Sequence, residues 1–411
     1  MIFYYIMLFL LPFNNHPILS YNMNGITPVK FFGGLALCVA LVEIFGKGWG
    51  QGQFRTPISK LFMAFIIAYY AALIANHSNN YNPQDVLRFN SIVIFFVTTV
   101  ILVNNKERFI NVIYVLLACM NVASAYVIRE YILYGWKYEN FRPSGLFGDP
   151  NYSALNLLTV IPVAVLLCRK SQNGKVRFFS YVSLFLYLTA LGLTQSRGAF
   201  VAFGVMTVPL MFALKFQPRT IAVLSLLIGV VLAFMPVDLS SRFDLERTGV
   251  RRSTDSRYEL IVAGWNMSKR HMLFGVGPGN FKVNSALYNE MVARNQIAHN
   301  SYVSLAAELG LPGIIVFALI ALRVLGSLKR LSAGDAVDAP VSLIASGMRI
   351  GLIGYLVGAL FLSAEYEKLF WLYCFVTAAV TRFTFVTASN GSEVAATGKL
   401  RQTRAAGRVP G

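Results

Sequence analysis

The chain has 411 residues, of which 56% are hydrophobic and 13% charged, whereas soluble domains carry about 25% charged residues. That balance argues against an ordinary soluble enzyme. The formal net charge of +18 calls for no nucleic acid, because Lys and Arg accumulate in the cytoplasmic loops of membrane proteins.

Apolar runs recur along the whole length, each close to the roughly 20 residues a membrane-spanning helix needs. A β-barrel would instead show short alternating segments. The expected fold is an all-α polytopic membrane protein with about twelve spans. The amino terminus, Met1 to Tyr5, has no basic stretch and no small-residue cleavage site after it, so it reads as a first span that stays in place. Spans are expected near 1–12, 29–45, 58–75, 86–103, 109–128, 152–168, 178–193, 199–216, 220–235, 311–328, 341–362 and 369–386.

Basic residues test this count. Lys47, Arg55 and Lys60 follow the second span, Lys106 and Arg108 the fourth, and Arg169, Lys170, Lys175 and Arg177 the sixth. Lys215 and Arg219 follow the eighth, and Arg323, Lys329 and Arg330 the tenth. With an even number of spans all these loops face the cytoplasm, as do both termini. The chain then divides into spans one to nine (1–235), a long outward loop (236–310), spans ten to twelve (311–386) and a basic tail (387–411) expected to be disordered. Gly347, Gly351, Gly354 and Gly358 give the eleventh span a small-residue stripe that suits close helix packing. Cys38, Cys119, Cys168 and Cys374 lie in or beside apolar runs without metal-ligand spacing and read as small core residues.

Three outward segments break the apolar pattern. The first holds Phe141-Arg142-Pro-Ser-Gly-Leu-Phe-Gly-Asp149-Pro-Asn151-Tyr152, whose Pro and Gly residues oppose a regular helix. The second is the short turn Thr194-Gln-Ser196-Arg197-Gly198. There the topology rule disfavours a cation, and Arg197 stands at the start of a span. It is either a snorkelling side chain or an anion-binding one aided by free helix N–H groups. Arg142 and Arg257 are candidates for the same task, since a guanidinium fork matches phosphate oxygens.

The third segment is the long loop. It carries Asp255-Ser-Arg257, Trp265, Gly275-Val-Gly277-Pro-Gly279-Asn-Phe281 and His299-Asn300-Ser-Tyr302. Its remaining charges are of mixed sign and read as a solvated surface. The glycine run lacks the strand and acidic residue of a dinucleotide site and reads as a tight turn at the membrane surface. His299 is one of four histidines. Imidazole is the usual general base near neutral pH, although a lone histidine is also often structural. Asn300 or Ser301 suits a helix cap.

Together these residues resemble the O-antigen ligase and polymerase superfamily. His299-Asn300, nine residues, Gly310, two residues, then Gly313 fits a ligase-type pattern, and the Asp255 to Phe281 run fits the segment before it. Ser196-Arg197-Gly198 and Gly148-Asp149-Pro150-Asn151 also look like family features.

The resemblance implies a GT-C-like glycosyltransferase of the bacterial inner membrane that needs no metal or other cofactor and works on the periplasmic side. Its donor would be a glycan on undecaprenyl diphosphate. Its acceptor would be a sugar hydroxyl of lipid A–core in a ligase, or of another lipid-linked repeat unit in a polymerase. His299, Arg257 and Arg197 are the expected catalytic residues. Arg142, Asp149, Asn151, Asn300 and Tyr302 are the expected substrate contacts. Asp149, Asp255 or Glu308 would orient His299 or an Arg. A transporter of lipid-linked sugars is the rival reading. It would use charges within the spans, and Arg349 and Arg382 lie there or nearby, but no paired broken helices are evident in the two halves.

Overall fold

The computed structural model describes residues 1–15, 27–47, 54–77, 83–138, 141–215, 248–292, 295–333 and 338–382. The ninth expected span, near 220–235, and the basic tail lie outside these residues.

A chain in hydrocarbon has no water to satisfy its backbone, so the apolar runs must bond within themselves as helices. They form α1 (Ile2–Leu10), α2 (Pro28–Lys47), α3 (Pro57–Ala75), α4 (Pro83–Leu102), α5 (Lys106–Tyr134), α6 (Pro150–Lys170), α7 (Gly174–Leu193) and α8 (Arg197–Ala213). Then come α9 (Thr248–Arg270), α10 (Phe281–Tyr288), α11 (Ser301–Ala333), α12 (Ala339–Gly358) and a last helix, α13, over 368–382.

Among the described residues there is no strand, and eight helices are long and apolar enough to cross a membrane: α2 to α7, α11 and α12. The shorter α1 and α8 are also apolar. The protein is an all-helical polytopic membrane protein, and every expected span but the ninth falls on a described helix.

The centre of the bundle is α6. All its residues from Ser153 to Cys168 are buried, as expected of a helix apolar on every side. At 1.5 Å per residue its 21 residues cover about 30 Å, the thickness of the hydrocarbon layer. The glycine stripe of α12 lets that helix approach α6 closely. A Cβ at Gly351 would stand 2.2 Å from the Thr159 carbonyl oxygen, and one at Gly347 2.6 Å from the Val163 Cα. Gly354 instead faces Met206 of α8. On the other side α13 buries Leu369 to Phe375. Trp371 there sits 5.0 Å from the Phe62 ring and 5.3 Å from the Phe65 ring of α3.

The bundle has two distinct ends. Basic loop residues gather at one: Arg108 pairs with Glu43 at 3.2 Å, Lys106 with Asp338 at 2.8 Å, and Lys170 donates to the Ala213 carbonyl at 2.8 Å. The N-termini of α6, α8 and α11 open at the other end.

The polar interval expected as one long loop is largely helical where it is described. The inner face of α9, Leu260, Ala263 and Met267, packs with Val276, Phe281 and Ala307 as a small second core. The tenth span, expected from residue 311, is the later part of α11, which begins at Ser301 and breaks its helical geometry at Gly310 (φ 68°, ψ −169°). The break has an identifiable cause: the turn after α9 presses into it, so that the Leu311 N–H donates to the Met272 carbonyl at 2.8 Å. A Cβ at Gly310 would stand 2.6 Å from that carbonyl oxygen. Pro312, with no N–H to lose, follows at once.

The glycine run completes this seam. Val276 and Gly277 donate their N–H groups to the Ala307 and Glu308 carbonyls at 2.8 and 3.1 Å. Phe281 donates its own to Glu308 Oε1 at 3.1 Å. Gly275, Gly277 and Gly279 all have positive φ, which only glycine adopts without cost. The run is a tight turn, as expected. Its amides at 276 and 277 bind protein rather than a phosphate.

Candidate active site

Three helix starts and α9 build the site. Asp149 caps α6, its Oδ1 accepting from the N–H groups of Asn151 (2.7 Å) and Tyr152 (3.2 Å), and Pro150 follows where no N–H is needed. Arg142 then ties this start to the next one. Its Nε donates to the Thr194 carbonyl at 2.9 Å, and its Nη2 to Asn151 Oδ1 at 2.9 Å.

The turn it holds contains Gln195 at φ 50°. Ser196 precedes α8 without a side-chain capping bond, which leaves the first N–H groups of α8 open to an anion beside Arg197. Gly198 lies against the segment after α12, for a Cβ there would meet Phe361 Cβ at 2.7 Å.

His299 ends the approach to α11 at φ 50°. A left-handed conformation is uncommon outside glycine, so the surrounding contacts hold it there. Asn300 Oδ1 caps α11, accepting from Tyr302 N–H (3.0 Å) and Val303 N–H (3.1 Å). Ser301 is locked to the segment after α12: its N–H donates to the Ala359 carbonyl (2.9 Å) and its Oγ to the Leu362 carbonyl (2.7 Å), while Ala364 N–H donates to that Oγ (2.8 Å). Tyr302 donates its hydroxyl to the Leu356 carbonyl at 2.6 Å. Asn151, Asn300 and Tyr302, expected as substrate contacts, thus each have a polar group engaged in holding the frame.

The four remaining candidates share one electrostatic neighbourhood. Partial burial holds the His299 imidazole below its usual pKa; the Arg257 guanidinium adds to this and Asp149 opposes it. Burial likewise holds Arg257 below its usual range; Arg197 adds to this and Asp149 opposes it. His299, Arg257, Arg197 and Asp149 come from four segments, so only the tertiary fold brings them together. Among the described residues neither Arg197 nor Arg257 has an ion-pair partner within 4.0 Å. Two half-buried cations without a counter-ion are costly unless an anion joins them.

His299 Nδ1 is buried and makes no hydrogen bond among the described residues, so none of their carboxylates orients it through that nitrogen. Glu308 turns to Phe281 instead, and the Asp255 side chain lies outside the described residues. Chemically this is a neutral imidazole, able to accept a proton, beside a cationic pocket suited to phosphate oxygens.

The sequence reading passed over the connection at 359–367. Tyr152 donates to the Ser363 carbonyl at 2.6 Å. Glu365 is 6% exposed and accepts from Ser304 Oγ at 2.6 Å, and burial raises its carboxyl pKa. Glu367 pairs with Arg88 at 3.0 Å. A signal was available: Glu365-Tyr-Glu367-Lys368 places three charges between two apolar runs, at the same end of the bundle as His299.

Residues 182–318 match the family described as O-antigen ligase. The match takes in Arg197, Arg257, His299, Gly310 and Gly313 and leaves out Arg142, Asp149 and Asn151. No curated protein matches the chain. The match covers a third of the chain, and over that stretch the protein is similar to the O-antigen ligase family.

Proposed function

We propose that the protein is an inverting glycosyltransferase of the ligase kind. It moves a glycan from undecaprenyl diphosphate to a sugar hydroxyl of lipid A–core, on the periplasmic face of the inner membrane. One observation carries this reading. A histidine with its pKa held down, and with a buried nitrogen unpartnered among the described residues, shares a neighbourhood with two guanidiniums that lack ion-pair partners among those residues.

In the reaction His299 takes the proton of the acceptor hydroxyl. The acceptor oxygen bonds to the anomeric carbon from the face opposite the leaving group. The bond from that carbon to the diphosphate oxygen breaks, and its electron pair departs with the lipid diphosphate. Charge therefore grows on the leaving oxygens, where Arg197, Arg257 and the open amides of α8 stabilise it. An activated diphosphate needs no protonated leaving oxygen, so the paired carboxylates of a glycoside hydrolase have no task here. Arg142 acts by bracing the Arg197 turn and Asp149 by tuning both His299 and Arg257. The segments are then a membrane-embedded carrier groove (1–235 and 311–386) and a catalytic cap (236–310).

The test is reconstitution of the purified protein with a single undecaprenyl-diphosphate oligosaccharide. Product that appears only when a core acceptor is added supports the ligase reading. A growing ladder without core means a polymerase, and no consumption of donor under either condition overturns both. A membrane-impermeant thiol reagent applied from the periplasm to His299→Cys tests the sidedness, which fails if only the cytoplasmic side reacts.

A further inference from the structure

The helix that supplies Arg257 has two apolar faces, and the site explains only one. Its inner face packs on α10 and α11. Its outer face carries Tyr258, Ile261 and Trp265, all exposed, the last by 61%. At 100° per residue these three fall within one narrow stripe, opposite Leu260, Ala263 and Met267. The turn that follows, Met272, Leu273 and Phe274, is exposed as well. Six large apolar side chains in one continuous stretch make a patch that water does not favour.

What covers the patch follows from where it leads. The Met272 carbonyl accepts the N–H of Leu311. Leu311 heads a stripe on α11 with Ile315, Leu319 and Leu322, all exposed, on a helix apolar enough to cross the membrane. Their spacing keeps them on one side of the helix for about 16 Å, an exposed apolar side that suits lipid. The 272–274 turn therefore sits at the top of this apolar surface and leads from it to α9. The polar edge agrees. Lys269 lies over the Trp265 ring at 5.1 Å and Arg270 over the Tyr288 ring at 5.5 Å. Cations bordering aromatic rings are the composition of the headgroup region, where stems lie in apolar surroundings and charges reach lipid phosphates.

We propose that α9 is an interfacial helix, with its outer face and the 272–274 turn set into the lipid headgroup and upper acyl region of the bilayer. Arg257, one residue before Tyr258 and three before Leu260, then stands at the border between bilayer and site. The proposal does not depend on which glycan, if any, the protein transfers.

Spin labelling tests it. Cys119, Cys168 and Cys374 are buried and Cys38 is exposed, so Cys38→Ser gives a usable background. Tyr258→Cys, Trp265→Cys, Leu273→Cys and, as a polar control, Glu290→Cys are labelled with a nitroxide in proteoliposomes. Collisions with oxygen, which partitions into lipid, are compared with those of a water-soluble nickel chelate. The expected oxygen-to-nickel ratio is several-fold higher at the three apolar positions than at Glu290→Cys. A ratio equal to the control would place the face in water. Shielding from both reagents would place it against a second copy or another protein. Either result overturns the proposal.

Discussion

The seam between α6 and α12 and the cluster around His299 follow opposite rules. In the seam, glycines bring two backbones together, with Gly351 against the Thr159 carbonyl, and the Tyr373 hydroxyl bonds to that same carbonyl at 2.7 Å. In the cluster, among the described residues, Arg197 and Arg257 lack ion-pair partners, His299 Nδ1 lacks a hydrogen bond, and two non-glycine residues, Gln195 and His299, take left-handed backbone. Strain and unmatched charge persist only where the surroundings enforce them. The close-packed seam and the many bonds at 356–364 supply that enforcement. If the cluster is the proposed site, stability and function reside in different residues, and substitutions should separate them.

His299→Ala should lower the transfer rate about 10²- to 10⁴-fold, the usual contribution of a general base, with thermal unfolding unchanged. Retained activity would remove the base from the mechanism. Arg257→Gln should cost roughly 10²- to 10³-fold, as for loss of one donor to developing charge. Arg197→Lys should cost less, because charge stays while the bidentate fork is lost. Full activity there would argue against phosphate binding by Arg197.

Gly351→Ala reverses the pattern. The new methyl group meets backbone rather than a movable side chain, so it should destabilise the bundle by about 1–3 kcal/mol. A lower unfolding temperature with little change in rate per folded molecule would bear this out. An unchanged unfolding temperature would show that α12 can shift freely from α6.

The subtlest effect is on pH dependence. In the proposed mechanism His299 works unprotonated, and its pKa is lowered from 6.5, so its acid limb should lie below pH 6.5, with activity lost as pH falls through the lowered value. Asp149 raises that pKa, so Asp149→Asn should move the limb further down while keeping a capping oxygen for α6. In Arg257→Gln, which loses a group that lowers it, the residual activity should show the limb moved up. Profiles of transfer rate against pH with these variants measure both displacements, and shifts of the opposite sign would break the electrostatic link.

Much of the frame could be read without coordinates. Hydropathy located the spans because hydrocarbon forces helices, and Gly347, Gly351 and Gly354 were legible because only small residues let helices touch. The helical nature of 248–270 was harder to see. Its buried positions are few, and its outer apolar residues face away from the protein core. Gly310 and Gly313 were visible as spacing, but the kink they permit depends on Met272, which is remote in sequence. Glu365 was passed over because a short connection between two spans looks like any other.

Composition and the order of apolar and polar residues alone determined that this chain is a helical membrane protein, and its motifs pointed to His299, Arg197 and Arg257. Both signals are local: hydrophobicity and residue spacing act within a single segment. Which charges meet was decided by folding. The Arg142 bonds to Thr194 and Asn151, the Asn300 cap, and the field that Arg257 and Asp149 exert on His299 join residues up to 150 positions apart in the chain. Electrostatic coupling depends on distance through space, and helix packing is what sets that distance.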